Sequence, residues 1–177
     1  KHQSDFNTGD NEGIGYFQVT QKNGFRCSTS VGYLNPIKNR QNLKIITKAH
    51  IKNIEFINKK AVSVNYWQDT ELKNVKSNKE IILSAGSIGS PHILQASGIG
   101  PSGLLKENGV SVIHENKSIG QNLQDHLMLR PVYKIKNLET LNEVYHNLYK
   151  KMMTGINYFI FRKGALTMGA SHLCGFI

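Results

Sequence analysis

The sequence of 177 residues predicts a mixed α/β fold, and three observations support this class. Residues 43–67 contain apolar and β-branched runs separated by a short polar turn, which is typical of paired strands. The run at 81–83 is continuously apolar, as expected of a strand buried on both faces of a parallel sheet. A glycine turn at Gly86 and a helix-like segment follow at once. Strand, glycine turn and helix in this order bring backbone close to nucleotides in α/β proteins.

Turn signals divide the first half of the chain. Asn23-Gly24 predicts a tight turn between two short strands, and residues 29–34 predict a helical turn. Strands are then predicted near 43–48, 51–57, 61–67 and 80–85. We expect Ile81 and Leu83 to be among the most buried residues, because they lie in the continuous apolar run.

Capping signals divide the second half. Ser90-Pro91 fits a helix N-cap followed by proline at the first helical position, and Ser97-Gly98 fits the end of that helix. Residues 110–113 alternate as a short strand. Thr140 and Glu143 form a capping box, behind which apolar residues recur at helical spacing.

Composition narrows the functional class. The net charge is +10, which suggests an anionic partner, but the lysines are scattered and are not interleaved with stacking aromatics. We therefore expect no nucleic-acid binding and keep a basic binding module as an alternative. Cys27 and Cys174 form neither a C-x-x-C pair nor a disulfide framework, which fits a reducing compartment. No apolar run reaches the roughly 18 residues of a membrane span. We expect a cytoplasmic protein, with peripheral association at a membrane left open.

Few of the residues carry chemistry by spacing alone. The seven histidines show no metal-ligand spacing, and no G-x-S-x-G nucleophile turn occurs. There is also no G-x-G-x-x-G after a predicted strand, so the usual dinucleotide fingerprint is absent. The glycine turn at Gly86 is therefore compatible with a nucleotide site and equally with a strand-turn-helix unit that binds nothing.

Four longer stretches resemble the glucose–methanol–choline (GMC) family of flavin oxidoreductases. They occur in the family's order and cover residues 5–130, with a looser likeness to the end of the chain. The stretches are N-G-F-R-C-S at 23–28, R-Q-N-L-K-I-I-T at 40–47, G-S-I-G-S-P-H-I-L-Q-A-S-G-I-G at 86–100, and G-Q-N-L-Q-D-H at 120–126.

The resemblance implies part of a site for FAD. In the family, the residue two positions beyond a T-x-A motif offers its backbone to the adenine, which here is Ile51. An ordinary role in a strand core is compatible with that function. The turn that follows the buried strand passes the adenosine part. The other positions carried over are at this turn, in the helix and in the last stretch: Ala85, Gly86, Ser90, Asn122, Asp125 and His126.

The Asp125-His126 pair looks like a catalytic dyad, but the family's catalytic base is a histidine far downstream. We therefore interpret the pair as structural and expect no catalytic residue and no metal site in this chain. The end of the chain aligns with a substrate-domain strand, which places His172 where choline-acting members carry glutamate. A neutral histidine would not attract a trimethylammonium group, so the resemblance favours an uncharged alcohol.

The resemblance also predicts the organisation and activity. We expect a loop at the edge of the substrate domain over 1–20, part of the FAD-binding domain over 21–130, and the start of an antiparallel-sheet substrate domain over 131–177. The predicted function is that of an internal fragment of an FAD-dependent enzyme. It would oxidise a primary or secondary alcohol to an aldehyde or ketone by hydride transfer to flavin N5. The chain starts without Met and lacks the phosphate-binding unit, so we expect it to be inactive alone.

Two alternatives stay open. The first is a choline dehydrogenase, which makes betaine aldehyde. The second is a non-catalytic protein, either a relative that keeps the fold or a basic binding module. The expected partners are a small alcohol and an electron acceptor that the sequence does not identify.

Overall fold

The computed structural model of the chain describes residues 1–169 and 172–176. Contacts divide the chain into two units, which are Ile45–Arg130 and the combination of Lys1–Lys44 with Pro131–Ile177. The strands are β1 (Gly13–Tyr16), β2 (Gln21–Lys22), β3 (Phe25–Arg26), β4 (Ala49–Ile57), β5 (Lys60–Gln68), β6 (Glu71–Lys76), β7 (Ile99–Gly100), β8 (His114–Glu115) and β9 (Leu173–Phe176). The helices are α1 (Gly86–Ala96), α2 (Ser102–Glu107), α3 (Leu141–His146) and α4 (Leu148–Phe161), with helical turns at Ser30–Leu34, Asn35–Ile37 and Ala165–Thr167.

A three-stranded antiparallel sheet in the order β4-β5-β6 is the centre of the unit Ile45–Arg130. Strands β4 and β5 confirm the strands predicted at 51–57 and 61–67. Their turn has positive φ at Asn58 (49°) and Lys59 (65°), the backbone geometry that matches the twist of a two-residue hairpin. With α1 beside this sheet and α2 following in the same unit, the predicted mixed α/β class is confirmed.

One face of the sheet is apolar and packs against α1. Ile54 and Tyr66, which share this face, are 5% and 8% exposed. Between strand and helix, the backbone N–H of Ile54 donates to Ser97 Oγ over 2.8 Å. The same hydroxyl donates to the Ile93 carbonyl at 2.5 Å. Ser97 is only 4% exposed, and its hydroxyl both accepts and donates a hydrogen bond at the sheet–helix contact.

The chain reverses sharply after α1. Gly98 has φ +86° and is buried, and its carbonyl accepts from Ile113 N at 2.8 Å. Strands β7 and β8 then pair in parallel, and α2 between them buries Leu105 to 2% exposure. The predicted end of α1 at Ser97-Gly98 is confirmed, and α2 ends at Glu107, just before Asn108-Gly109.

Two predicted strands are wrong. Residues 43–48 are irregular, because Lys48 adopts a left-handed φ of 54°, and the strand starts only at Ala49. Residues 81–84 are also unpaired, since no strand of the described chain lies beside them to complete a ladder. Ile81 and Leu83 are consequently only half-buried and do not belong to the core.

Two further boundaries differ from the prediction. The helix α1 starts at Gly86, so Ser90 is not its N-cap and Pro91 lies inside it. Gly86 causes this difference, because its φ of +85° turns the backbone into the helix before Ser90 is reached. Residues 110–113 form no strand, and pairing begins at His114, where the chain comes alongside β7.

In the other unit, β1 pairs antiparallel with β9 and β2 with β3. The β2–β3 turn is the predicted Asn23-Gly24 turn, with φ of 53° and 73°. The predicted capping box is confirmed by reciprocal hydrogen bonds between Thr140 and Glu143. The helical spacing behind it is interrupted at Asn147, whose side chain accepts from Lys150 N at 3.1 Å and starts α4.

Arg162 joins the β2–β3 hairpin to the end of α4. Its left-handed φ of 55° ends the helix, and its guanidinium lies 4.5 Å from the ring centre of Phe25 and 5.2 Å from that of Tyr158. Such cation–π contacts stabilise by about 0.5–1 kcal/mol at exposed sites. None of the helices in the described ranges is long and apolar enough to cross a membrane.

The close approach at Gly98 predicts a strong effect of one methyl group. A Cβ there would lie 2.4 Å from the Ser111 carbonyl oxygen, and the positive φ adds backbone strain. We expect Gly98→Ala to lower the free energy of unfolding by about 2–5 kcal/mol, the sum of left-handed strain and overpacking. Urea denaturation followed by circular dichroism measures this change.

The matched control is Gly103→Ala in α2, where a Cβ meets no atom within 4 Å. This variant should be unchanged or more stable by up to about 1 kcal/mol, because alanine favours a helix. Equal stability of the two variants would contradict the close packing at Gly98.

Candidate functional site

The start of α1 presents an open backbone at two of the predicted site positions. Ala85 and Gly86 are exposed, and a Cβ built on Gly86 has no neighbouring atom within 4 Å. No side chain caps the eleven-residue helix, so its first backbone N–H groups remain available to an acceptor. A helix N-terminus of this kind attracts negative charge. The arrangement therefore fits the nucleotide part of a dinucleotide cofactor.

Ser90 holds the turn that leads into this helix. Its hydroxyl oxygen accepts a hydrogen bond from the backbone N–H of Ala85 over 3.0 Å. The hydroxyl, which is half-buried, thereby supports the backbone of Ala85 and Gly86. The structure thus brings three predicted site residues together.

Ile51 lies on β4, where it is half-buried opposite Tyr66. The register shifts between Ile51 and Asn53, which interrupts the regular ladder beside Ile51. Strand β4 and helix α1 pack together through Ile54 and Ser97. Ile51 and Gly86 therefore belong to packed elements of one unit, although no hydrogen bond in the described chain joins them.

Asn122, Asp125 and His126 lie on an exposed segment without regular secondary structure. Asn122 has a left-handed φ of 54°. The carboxylate of Asp125 accepts from the backbone N–H of His126 at 2.7 Å, which turns the backbone locally. Within the described residues this carboxylate makes no hydrogen bond to the imidazole, so the interpretation of a structural pair stays a prediction.

Gln95 is a residue that the sequence reasoning missed. Its side-chain Nε2 donates to the Ile119 carbonyl at 3.1 Å, which ties α1 to the loop before residues 122–126. The side chain also fills the space beside two glycines, because a Cβ on Gly120 would lie 2.5 Å from Nε2 and one on Gly100 3.0 Å from Cγ. A polar residue in the apolar run I-L-Q-A, followed by two glycine-containing turns, is the signal that could have revealed it.

An open groove of about 450 Å³ lies between β4, the end of α1 and the loop after α2. None of the predicted FAD residues lines it. Its lining is mostly apolar and consists of Asn53, Ile54, Glu55, Phe56, Ile57, Val62, Ala96, Ser97, Val110, Ser111 and Ile113.

The second face of the β4-β5-β6 sheet is polar and centres on Glu55. Its carboxylate accepts from the Ser63 hydroxyl, from Asn65 Nδ2 at 2.8 Å and from Asn74 Nδ2 at 3.3 Å. The hydrogen bond from Ser63 is the main reason that the pKa of Glu55 is lowered, and those from Asn65 and Asn74 add to it. Lys76 contributes weakly by charge. The three donors hold the carboxylate in place on this face of the sheet.

Other shifted groups lie in the second unit. Ion pairing with Glu139 raises the pKa of Lys150, and a hydrogen bond from Lys1 lowers the pKa of Asp10. The backbone N–H of Asn7 lowers the pKa of Asp5. Within the described ranges, no group of three His, Cys, Asp or Glu residues is arranged to hold a metal ion.

His172 immediately precedes β9. Its carbonyl accepts from Phe17 N at 2.9 Å, which continues the β1–β9 pairing. Its Nε2 atom is buried and has no hydrogen-bond partner in the part of the chain that the structure describes. A buried ring nitrogen of this kind requires a polar partner.

Comparisons with known proteins agree on one family. A sequence profile of the GMC oxidoreductases matches residues 1–128. The chain is 35% identical to an alcohol dehydrogenase [acceptor] of Pseudomonas putida and 38% identical to an oxygen-dependent choline dehydrogenase of Vibrio vulnificus. Each alignment covers 98% of this chain, and 32% or 31% of the relative. The chain thus spans about a third of the length of these relatives.

Solved structures of two flavin or formate oxidoreductases share the fold of this chain. An FAD-dependent oxidoreductase from Chaetomium thermophilum superposes with a TM-score of 0.84 at 27% identity, covering 98% of this chain and 31% of that one. A formate oxidase superposes with a TM-score of 0.81 at 25% identity, covering 99% and 30%.

The Glu55 cluster predicts how stability depends on pH. Because folding lowers the pKa of Glu55 below its usual value of 4.5, its contribution is present above that pH and disappears as the pH falls through the folded-state pKa. The wild-type protein should lose part of its free energy of unfolding when the pH falls below about 4.5. We expect Glu55→Gln to lose less over the same pH range, because it has no carboxylate to protonate. Urea denaturation at a series of pH values measures it.

Ser63→Ala is the paired variant, because it removes the largest cause of the shift while keeping the carboxylate. It should flatten the same part of the pH profile and also lower stability at neutral pH. If both variants follow the wild-type profile in acid, Glu55 is not held by this cluster.

Proposed function

Because the chain belongs to the GMC oxidoreductase family, we propose that it is part of an FAD-dependent enzyme that oxidises an alcohol to an aldehyde or ketone. Membership follows from the profile match over residues 1–128, and the resemblance inferred from the sequence is thereby confirmed. The relatives are about three times as long, so the proposal concerns a longer polypeptide that contains this chain.

The open backbone at the start of α1 is the observation that supports FAD binding best. Gly86 needs glycine for its φ of +85°, yet the space beside it is empty of protein atoms within 4 Å. The uncapped helix N-terminus provides N–H donors next to that space. The close approach of an adenosine group requires a small residue beside open space, and Gly86 provides both.

We assign the remaining contacts to three segments. The backbone of Ile51 would face the adenine, and Ala85 and Gly86 would pass the adenosine part, with Ser90 holding their turn. Asn122, Asp125 and His126 would contact the cofactor from the segment after Ile119. The proposed domains are those expected from the sequence: an edge of the substrate domain over 1–20, part of the FAD-binding domain over 21–130, and the start of the substrate domain over 131–177.

The chemistry is divided between cofactor and protein. A bound flavin would supply a two-electron acceptor, so that the alcohol carbon loses a hydride while its hydroxyl loses a proton to a base. We assign no base to this chain, since Asp125 is engaged by its neighbouring backbone. The chain's own task would be to bind and orient. Alone it would hold FAD weakly and be inactive, because the G-x-G-x-x-G of its sequence, at Gly98–Gly103, follows helix α1 and not a strand, as a phosphate-binding turn requires.

For the substrate, we propose an uncharged alcohol, and a choline-like substrate is the competing candidate. The relatives do not separate the two, because alcohol and choline dehydrogenases match at similar identity. The buried Nε2 of His172, which has no hydrogen-bond partner among the described residues, supports the first candidate. A neutral imidazole can exchange a hydrogen bond with a hydroxyl, but it offers no charge to a quaternary ammonium group.

The FAD assignment is tested by bulk at position 86. Gly86→Ala and Gly86→Leu share the strain of a positive φ and differ only in the size of the side chain. No protein atom lies within 4 Å of the Cβ position, so neither side chain meets a neighbour there. In the full-length protein, we expect Gly86→Leu to lose about tenfold or more FAD affinity relative to Gly86→Ala, because only the larger side chain would enter the adenosine space. Flavin absorbance per mole of protein and titration with FAD measure this difference.

Wild-type protein without FAD, and without alcohol-dependent reduction of an artificial acceptor, would overturn the proposed function. Equal flavin affinity of the two variants would instead move the adenosine away from Gly86.

The substrate assignment is tested at His172. We expect His172→Glu in the full-length protein to raise kcat/KM for choline relative to a medium-chain alkanol by about 10- to 100-fold, since a carboxylate–cation contact in a partly desolvated pocket contributes about 1.5–3 kcal/mol. Steady-state kinetics with both substrates measures the ratio.

The control is His172→Gln, which stays neutral and keeps a polar side chain. Its choline-to-alkanol ratio should remain within a few-fold of wild type. A wild-type ratio well above one would show that another residue selects a cation and would reject the uncharged alcohol.

A further inference from the structure

We propose that Gln95 is a positioning residue, which holds the segment carrying Asn122, Asp125 and His126 against helix α1. The inference rests on the proposed function, because it assigns a task to Gln95 only if that segment contacts FAD. Gln95 itself is half-buried and is placed to act through the backbone of the segment.

The hydrogen bond from Gln95 Nε2 to the Ile119 carbonyl is the last one to a distant residue before residues 122–130. Upstream, the loop is anchored by Asn116 N, which donates to the Gly100 carbonyl at 3.0 Å. Downstream, Gln121 N bonds only within its own turn, to Ser118 O at 3.2 Å. From residue 122 to residue 130, the described chain makes no hydrogen bond to any distant residue.

The backbone beyond this tie depends on two unusual conformations. Gly120 has φ +80° and Asn122 has φ +54°, so the chain changes direction twice within three residues. A small rotation at Ile119 would therefore displace everything that follows. Fixing the carbonyl of Ile119 is an efficient way to set the direction in which residues 122–126 leave α1.

Two glycines indicate that this position is built around the glutamine side chain. The Cβ position of Gly120 lies 2.5 Å from Gln95 Nε2, and that of Gly100 lies 3.0 Å from its Cγ. The first distance is too short for a real side-chain carbon, so a larger residue at Gly120 would displace the amide, and the second is a tight contact that would make Gln95 shift slightly. The side chain is thus confined on two sides while its N–H reaches Ile119.

The same helix connects Gln95 to the other proposed contacts. Ser90 and Gly86 lie five and nine residues before it on α1, and its far end tethers the loop. One helix would in this way set the spacing between the adenosine turn and the segment that carries Asn122. A loss of the tether should change how the cofactor is held without removing any group that touches it.

The test uses the full-length flavoenzyme with Gln95→Met, which keeps the length of the side chain and removes its donor. We expect about tenfold weaker FAD binding, the effect of one hydrogen bond, together with an altered visible circular dichroism spectrum of the bound flavin. Gln95→Ala, which introduces no bulk, should give the same two changes and serves if Gln95→Met folds poorly.

Ile54→Val is the control, because it loosens the core between β4 and α1 without contacting Gln95. It should lower the melting temperature and leave the flavin spectrum and affinity near wild type. If the Gln95 variants change only the melting temperature, as this control does, Gln95 is a packing residue and the inference is wrong. Wild-type protein that binds no flavin would instead reject the proposed function, and the inference with it.

Discussion

The hydrogen bond from the Ile54 N–H to Ser97 Oγ is the contact on which the rest of the unit Ile45–Arg130 depends. It lies between two nearly inaccessible residues, where an unpaired donor or acceptor would cost about 1–3 kcal/mol. Because Ser97 directly follows α1, this bond sets where the helix ends on the sheet. This bond therefore fixes the position of α1 on the sheet, and with it the turn at Gly86. It also fixes where the chain starts to return at Gly98.

The glycines of the 86–100 stretch serve two different purposes. Gly98 is required by the chain itself, since a Cβ there would collide with the Ser111 carbonyl, and Gly100 allows close packing, since a Cβ there would lie only 3.0 Å from Gln95 Cγ. A Cβ at Gly86 would contact no protein atom. Glycine is needed there for the positive φ, and the space beside it stays open. A family signature can therefore combine residues that pack the fold with one that keeps a surface accessible. Motif matching alone does not separate the two.

Local signals were reliable where a few neighbouring residues contain all the interactions. The Asn23-Gly24 turn and the Thr140–Glu143 box form from contacts within four residues, and both were predicted correctly. The run at 81–83 failed for the opposite reason, since an apolar run becomes a strand only beside a partner. The Ser90-Pro91 signal does not mark the start of α1, because the positive φ of Gly86 turns the backbone into the helix four residues earlier.

The amino-acid sequence by itself determined the family, the mixed α/β class and the β4–β5 hairpin, because these depend on residue order and on alternation along a strand. It also pointed to the segments that carry Gly86 and Asn122 as a candidate site. Only the tertiary structure decided that Ser90 supports the backbone of Ala85, that Asp125 binds its own neighbour, and that Gln95 tethers Ile119. The tether joins residues separated by two turns, a helix and a strand pair, and no local preference encodes such a distance. It exists because Gly98 and Gly100 let the returning chain come close enough to α1 for one amide to reach one carbonyl.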